Sequence, residues 1–476
     1  MSRGLLDADR AARDRNWAMA SLLLLLLIAF GLRWGTEVGR RGPLFDERWI
    51  TRPIAELLRH GWSVETAVDF QETKGPGLIW PYAAVGGLLI EDPQEVAGAE
   101  APPGGRQGRL PDVWKPPVEG GPAPAPPGML AALRLVSVLC FVLSGVPLLV
   151  LAAACGIRGP PLFVVTLLLA LLPQEAIFGQ LVMGEASFVL LSLVLVAVVA
   201  WGMGVGNGTA HRVAGPVVAA VVLAVMLHSR PHAVAWAPAI CLAAFARESW
   251  RSWPWWVAML CAGLLRIPLW MRWGGLVGSD FQNLHGLGIR LESLTYLAAA
   301  MALPLGVFLV AWLVGPCRRG AVWVAVGVGA GLVLGLIAPV MPSLHGGLDL
   351  AVQHDRYQGV AATMARGVAG PGRGGAAVIA FMAMVGLGGL GALFAETRRR
   401  SPREVAGAIL RVQAWVLLAG WALYALTRGF VFDRYLLAWS ALLPIAWVLT
   451  LPRWLLGVQV AMLGGAAVWF IHTWLM

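Results

Sequence analysis

Apolar stretches of near-membrane length alternate with short charged segments along almost the whole chain. Such runs sit near 17–34, 129–154, 161–179, 185–205, 213–228, 232–246, 253–270, 294–315, 321–340, 375–395, 409–427, 435–450 and 454–475. Each is about 16 to 25 residues long, enough for a helix to cross a bilayer. The pattern predicts an all-α fold: a polytopic transmembrane bundle of about thirteen helices, one domain over 1–476. Two pairs of runs, meeting near Arg230 and Pro452, lie close enough to count as one or two. The stretch Gly35 to Gly128 is the longest break between runs. Its first part, 35–90, holds a polar, amphipathic segment from Asp46 to His60 and an apolar one from Gly77 to Ile90. The second has 14 residues, short for a span, and is expected to be interfacial or re-entrant. Residues 91–128, rich in Pro, Gly and Glu, are expected to be a flexible insertion.

Composition supports the membrane reading. Hydrophobic residues make up 58% and charged residues 13%, with a mean hydropathy of +0.72, whereas soluble domains carry about 25% charge. A soluble enzyme, a disordered chain and a disulfide scaffold are excluded. The five cysteines form neither a CxxC motif nor a Cys/His cluster, so no metal site is expected. The net charge of +10 does not imply nucleic-acid binding. With the N-terminus in the cytoplasm and helices alternating, the whole excess falls on the inner segments and the outer ones sum to zero, as the positive-inside rule requires. The first run ends in Arg33-Trp34-Gly35-Thr36 instead of a small-residue cleavage site, so it is expected to be an uncleaved first helix.

Three places carry candidate chemistry. Phe45-Asp46-Glu47-Arg48-Trp49 sets two carboxylates beside an arginine just after the first helix. It reads either as a charged helix start or as a general base with a partner. Glu72-Thr73-Lys74-Gly75-Pro76-Gly77 places one of only two lysines at a sharp turn. Lys74 reads either as a snorkelling anchor or as a contact for a lipid phosphate. Glu185 opens a helix, as a capping charge or as an acid facing a cavity. In His228-Ser229-Arg230-Pro231-His232 the proline interrupts the helix between the two histidines, so they are not read as a metal pair. Gly327, Gly331 and Gly335 form a small-residue stripe for close helix packing.

Taken together and in order, these motifs resemble the GT-C glycosyltransferases, membrane enzymes that use lipid-phosphate sugars. The acidic pair followed by Arg48 and Trp49, with the Lys74 turn about twenty-five residues on, is similar to that family's first outer loop. Lys74 and Arg48 look like those of aminoarabinose and protein-mannosyl transferases. Ala131-Ala132-Leu133-Arg134-Leu135-Val136-Ser137 looks like a looser form of the family's next helix start. Gly278-Ser279-Asp280, Gln353-His354-Asp355-Arg356-Tyr357 and Asp433-Arg434-Tyr435 are similar to outer segments of the dolichyl-phosphate-glucose alpha-1,2-glucosyltransferase. The turn departs from the family in reading Lys-Gly-Pro-Gly where a second proline is usual.

The resemblance implies a polyprenyl-phosphate-sugar-dependent glycosyltransferase, working at the outer face of a bacterial plasma or inner membrane. Asp46 is expected to act as base, with Glu47 beside it as a second catalytic or positioning acid. Arg48, Lys74, Arg230, Arg356 and Arg434 are expected to bind the donor phosphate. Glu185, Asp280, His354, Asp355, Tyr357 and Tyr435 are expected to position substrate. No cofactor is expected, because the leaving phosphate already carries charge that Arg and Lys can meet directly. Expected partners are membrane lipids, the polyprenyl-phosphate sugar donor and a glycan, lipid or protein acceptor. The alternatives are a transporter or flippase, or a polymerase or ligase of lipid-linked glycans.

Overall fold

The computed structural model describes residues 2–36, 47–68, 75–89, 127–204, 209–275, 288–315, 320–342, 357–426 and 431–475. The insertion lies outside them except for its last two residues, which open a helix. Among the described residues, eight helical stretches are long and apolar enough to cross a membrane, or nine if one bent pair counts as a span. The fold is therefore an all-helical, multi-span bundle. The single departure among these residues is a two-residue parallel strand pair, Tyr357–Gln358 (β1) beside Val431–Phe432 (β2).

The chain opens with α1 (Ser2–Gly35). The segment that follows holds α2 (Glu47–His60), the single turn α3 (Val64–Ala67) and α4 (Pro76–Leu89). Then come α5 (Pro127–Ala154), α6 (Pro160–Ala170), α7 (Pro173–Phe178), α8 (Glu185–Gly202) and α9 (Thr209–Ser229). A 3-10 turn over Pro231–Ala235 leads to α10 (Trp236–Glu248), α11 (Trp253–Leu264) and α12 (Ile267–Trp273). The second half holds α13 (Leu291–Ala300), α14 (Ala302–Val314), α15 (Ala321–Ile337), α16 (Val360–Ala369) and α17 (Arg373–Arg399). It closes with α18 (Val405–Leu423), the short α19 (Leu437–Ser440), α20 (Leu443–Thr450) and α21 (Arg453–Leu475).

Each of the thirteen apolar runs coincides with helix, but several are broken. Proline explains where. A proline ring collides with the carbonyl four residues before it and removes one donor. Pro304 lies four after Ala300, where α13 ends, and the pair α13–α14 bends by 67°. Pro268 lies four after Leu264, the end of α11, and Pro444 four after Ser440, the end of α19. Pro173 splits the expected 161–179 span into α6 and α7. The breaks near Pro173, Pro304 and Ser440 meet around one small cleft, lined also by Leu172, Leu437 and Leu463. Pro147 and Pro216 sit inside unbroken helices, which membrane helices tolerate when neighbours meet the backbone's needs. Ser249, with φ of 54°, turns the chain between α10 and α11.

Between α1 and α5 the described residues form α2, α3 and α4. On α2 the residues Ile50, Ile54 and Leu57 are buried, one face of an amphipathic helix. The short α4 buries Leu78, Ile79, Tyr82, Ala83 and Gly86 against α2, α5 and α9. Its other face exposes Trp80, Val85 and Leu88.

Helix α17 is the centre of the second half, and glycine makes it so. A Cβ on Gly331 of α15 would stand 2.5 Å from Met384 Cα, and one on Gly335 would stand 2.6 Å from Ala380 Cβ. Gly386 and Gly389 on α17 meet the backbones of α13 and α14 in the same way, at the carbonyls of Ala298 and Leu305. Backbones in lipid associate by such close packing, since no hydrophobic drive separates one apolar helix from another.

Candidate active site

Residues Leu181 to Glu185, between α7 and α8, tie together parts of the chain far apart in sequence. Glu47, the first residue of α2, lies fully buried against Arg134 of α5. Arg134 donates from Nε to Glu47 Oε1 at 2.9 Å and from Nη2 to Oε2 at 2.5 Å. The Val182 N–H donates to the same Oε1 at 2.8 Å. One turn along α5, Ser137 donates to the Leu181 carbonyl at 2.7 Å and accepts from the Tyr82 hydroxyl of α4 at 2.8 Å. The segment holding α2 and α4 is thus fixed to the bundle by a paired charge and a hydroxyl relay.

The next residues meet a second ion cluster. Arg230, extended at the end of α9, donates to the Met183 carbonyl and to Glu185 Oε1, the latter at 2.8 Å. Arg434 Nε stands 3.6 Å from the same Oε1, and its guanidinium lies 5.4 Å from the Phe178 ring. One buried carboxylate therefore serves two buried arginines. Among the described residues, Glu185 Oε2 and Arg230 Nε have no hydrogen-bond partner. Gly184 makes the turn with φ of 80°, and a Cβ there would meet the Leu78 side chain at 2.7 Å.

Gly75, Pro76 and Gly77 dock beside the end of α9, next to this cluster. Gly75 N–H donates to the Ser229 carbonyl at 3.0 Å. A Cβ on Gly75 would overlap the His228 carbonyl oxygen and stand 2.8 Å from Arg266 Nη1. Only glycine lets the turn approach the end of α9 this closely. The other lesson is Tyr357. It heads β1, whose parallel register Tyr357↔Val431 and Gln358↔Phe432 brings the segment after Arg356 against the one before Asp433. Its ring packs on Tyr296 at 5.3 Å, and burial raises its phenol above the usual value, keeping it a neutral donor.

Of the residues singled out from sequence, Glu47, Glu185, Arg230 and Arg434 converge here, and Tyr357 sits on the strand pair that leads to Arg434. Asp46, Lys74, Asp280, His354, Asp355 and Arg356 lie outside the described residues, as do the side chains of Arg48 and Tyr435. His232 packs between Phe188 and Trp439, with ring centroids at 5.2 and 5.8 Å. Three buried charges were not anticipated as site residues: Arg134, Glu175 and Arg266. Each is a lone charge inside an apolar run, and that is the signal by which they are recognisable. A charge in hydrocarbon costs about 2.5–3.5 kcal/mol by insertion measurements and is retained facing a partner or a cavity.

No protein-family model and no curated protein sequence matches the chain. Solved structures of the oligosaccharyltransferase of Archaeoglobus fulgidus do align with it. The archaeal enzyme AglB, bound to an inhibitory peptide and a dolichol-phosphate, aligns at a TM-score of 0.39 with 15% identity, over 87% of this chain and 56% of that one. The same organism's enzyme tethered to an acceptor peptide aligns at 0.35 with 14% identity, over 89% and 55%. Its apo form gives 0.35 and 14%, over 87% and 56%. The chain spans little more than half the length of these structures.

Proposed function

We propose that the protein transfers a sugar from a polyprenyl-phosphate donor to a lipid, glycan or protein acceptor at the outer face of a membrane. The observation that carries this reading is the convergence of Glu185, Arg230 and Arg434 in one buried cluster, with Gly75 docked on Ser229 at its side. Arginine forks match phosphate oxygens in pairs, and burial strengthens each charge-assisted bond.

The roles divide within the acidic pair. Glu47 is occupied by Arg134 and Val182, which leaves Asp46 as the base. Asp46 takes the acceptor's proton. The acceptor atom then bonds to the anomeric carbon as the bond from that carbon to the phosphate oxygen breaks. Polyprenyl phosphate leaves with the electron pair and is met by the arginines and Lys74. A single displacement of this kind inverts the anomeric centre. The donor's apolar chain stays in the bilayer throughout.

The test is sugar transfer from a synthetic polyprenyl-phosphate sugar by purified protein in nanodiscs. Asp46→Asn is expected to lower turnover by about 10²-fold or more, the scale of a lost general base, with donor affinity little changed. Full activity in Asp46→Asn, in Glu47→Gln and in the double variant would refute the mechanism. A transporter would show binding or flux changes and no bond cleavage.

A further inference from the structure

Gln413, midway along α18, is fully buried and directs both ends of its amide at one broken helix. Its Nε2 donates to the Trp439 carbonyl at 2.6 Å, and its Oε1 accepts from the Leu442 N–H at 3.2 Å. Those two groups flank the break between α19 and α20, where Pro444 prevents the helix from running on. In an unbroken helix the Trp439 carbonyl would accept from Leu443, and the Leu442 N–H would donate to Ala438. Backbone groups released by a break in lipid need another partner. Here a single side chain from a neighbouring helix supplies both.

The same segment is seated on α18 a second time. Gly420 lies about two turns beyond Gln413, and a Cβ there would overlap the Trp439 ring. That ring is completely buried and also meets His232 and Tyr424, with centroids at 5.8 and 5.7 Å. Arg434 and Trp439 are joined without a linker, because the 3-10 turn Asp433–Leu436 runs directly into α19. The seat of Trp439 therefore fixes where Arg434 stands, and Arg434 reaches Glu185 beside Arg230.

We propose that Gln413 is a positioning residue of the candidate active site: by holding the Trp439 carbonyl and the Leu442 N–H, it sets the place of Arg434 against Glu185. The inference rests on the reading of that cluster as the donor-phosphate site, and it adds a residue that acts through Arg434 and not on a ligand. A glutamine that only satisfied the helix break would affect stability there and nothing at the cluster. A positioning residue makes a change at 413 felt at 434.

The test is a pair of double-variant cycles on the full chain in nanodiscs, with Gln413→Met, Arg434→Met and the two combined. Methionine is unbranched like glutamine and removes both hydrogen bonds. One cycle reads thermal unfolding without ligand; the other reads affinity for a polyprenyl monophosphate. Gln413→Met alone is expected to bind that probe about 10-fold more weakly, the scale of one charge-assisted bond that a displaced Arg434 no longer makes. It is expected to cause no further loss once Arg434 is replaced. In thermal unfolding the double variant is expected to lose less than the sum of the single ones. Losses that add in the unfolding cycle overturn the inference. So does unchanged affinity in Gln413→Met where Arg434→Met binds weakly. Should Gln413→Met not fold, Gln413→Asn, one methylene too short to span both groups, reads the same two cycles, and additive losses there overturn it equally. A wild type with no affinity for the probe, or one indifferent to Arg434→Met, removes the donor reading at Arg434 and leaves the unfolding cycle to decide the inference.

Discussion

Glu47 and Arg134, 87 residues apart, meet in a fully buried two-pronged ion pair, with bonds of 2.9 and 2.5 Å. The pair joins α2 to α5 of the membrane bundle. Breaking a buried ion pair by removing one partner typically costs about 3–5 kcal/mol. Glu47→Gln and Arg134→Met are each expected to destabilise the protein by that order. The double variant is expected to lose less than the sum, because neither charge is left alone. Thermal unfolding in detergent across this four-member cycle checks it; additive losses would show that the two residues act independently.

Glu185 holds two arginines, so its removal changes charge more than shape. Glu185→Gln leaves Arg230 and Arg434 without their carboxylate. An anionic donor is then expected to bind as tightly as before or more tightly. Turnover is expected to fall by about 10- to 100-fold, since the arginines are no longer held in place and the donor is misplaced. Separate measurement of donor affinity and turnover checks the split. Weaker donor binding with normal turnover would contradict it.

The stripe on α15 gives a prediction independent of function. Gly331→Val would place atoms 2.5 Å from Met384 Cα and 2.6 Å from the Ala383 carbonyl of α17. Backbone cannot yield as a side-chain tip does. The expected cost is about 1–3 kcal/mol or more from overpacking. Gly329, on the same helix with open space around it, is the control and should tolerate alanine. A thermal shift that fails to distinguish the two positions would mean that α15 and α17 do not pack as described.

Orientation is checked by labelling. In a background without the native cysteines, Ser63→Cys, exposed just after α2, is expected to react with an impermeant thiol reagent in intact cells. Arg398→Cys, at the end of α17 among the arginines assigned to the inside, is expected to be protected. The reverse pattern would place the Glu185 cluster on the cytoplasmic side and separate it from an outer-leaflet donor.

The sequence by itself determined the class of fold and marked several of the charges that converge in it. Apolar runs near bilayer length leave a chain few choices, because backbone polar groups in lipid must be satisfied within a helix. The amphipathic period of α2 and the 14-residue length of α4 were equally legible, since both depend only on local spacing. Glu185, Arg230 and Arg434 stood out as charges at the ends of apolar runs. What the tertiary structure alone decided is which charges meet. Nothing local to Glu47 indicates that its partner is Arg134, or that Val182 supplies the third bond. Nothing near Pro304 or Pro268 says whether the proline breaks its helix, as these do, or is absorbed, as Pro147 is. Arg266 shows the limit most clearly. In sequence it is one arginine in an apolar run, and only packing reveals that it lies buried against Trp273 with no hydrogen-bond partner among the described residues. Pairing between distant charges is set by how helices are arranged in three dimensions, and that arrangement is a property of the whole chain.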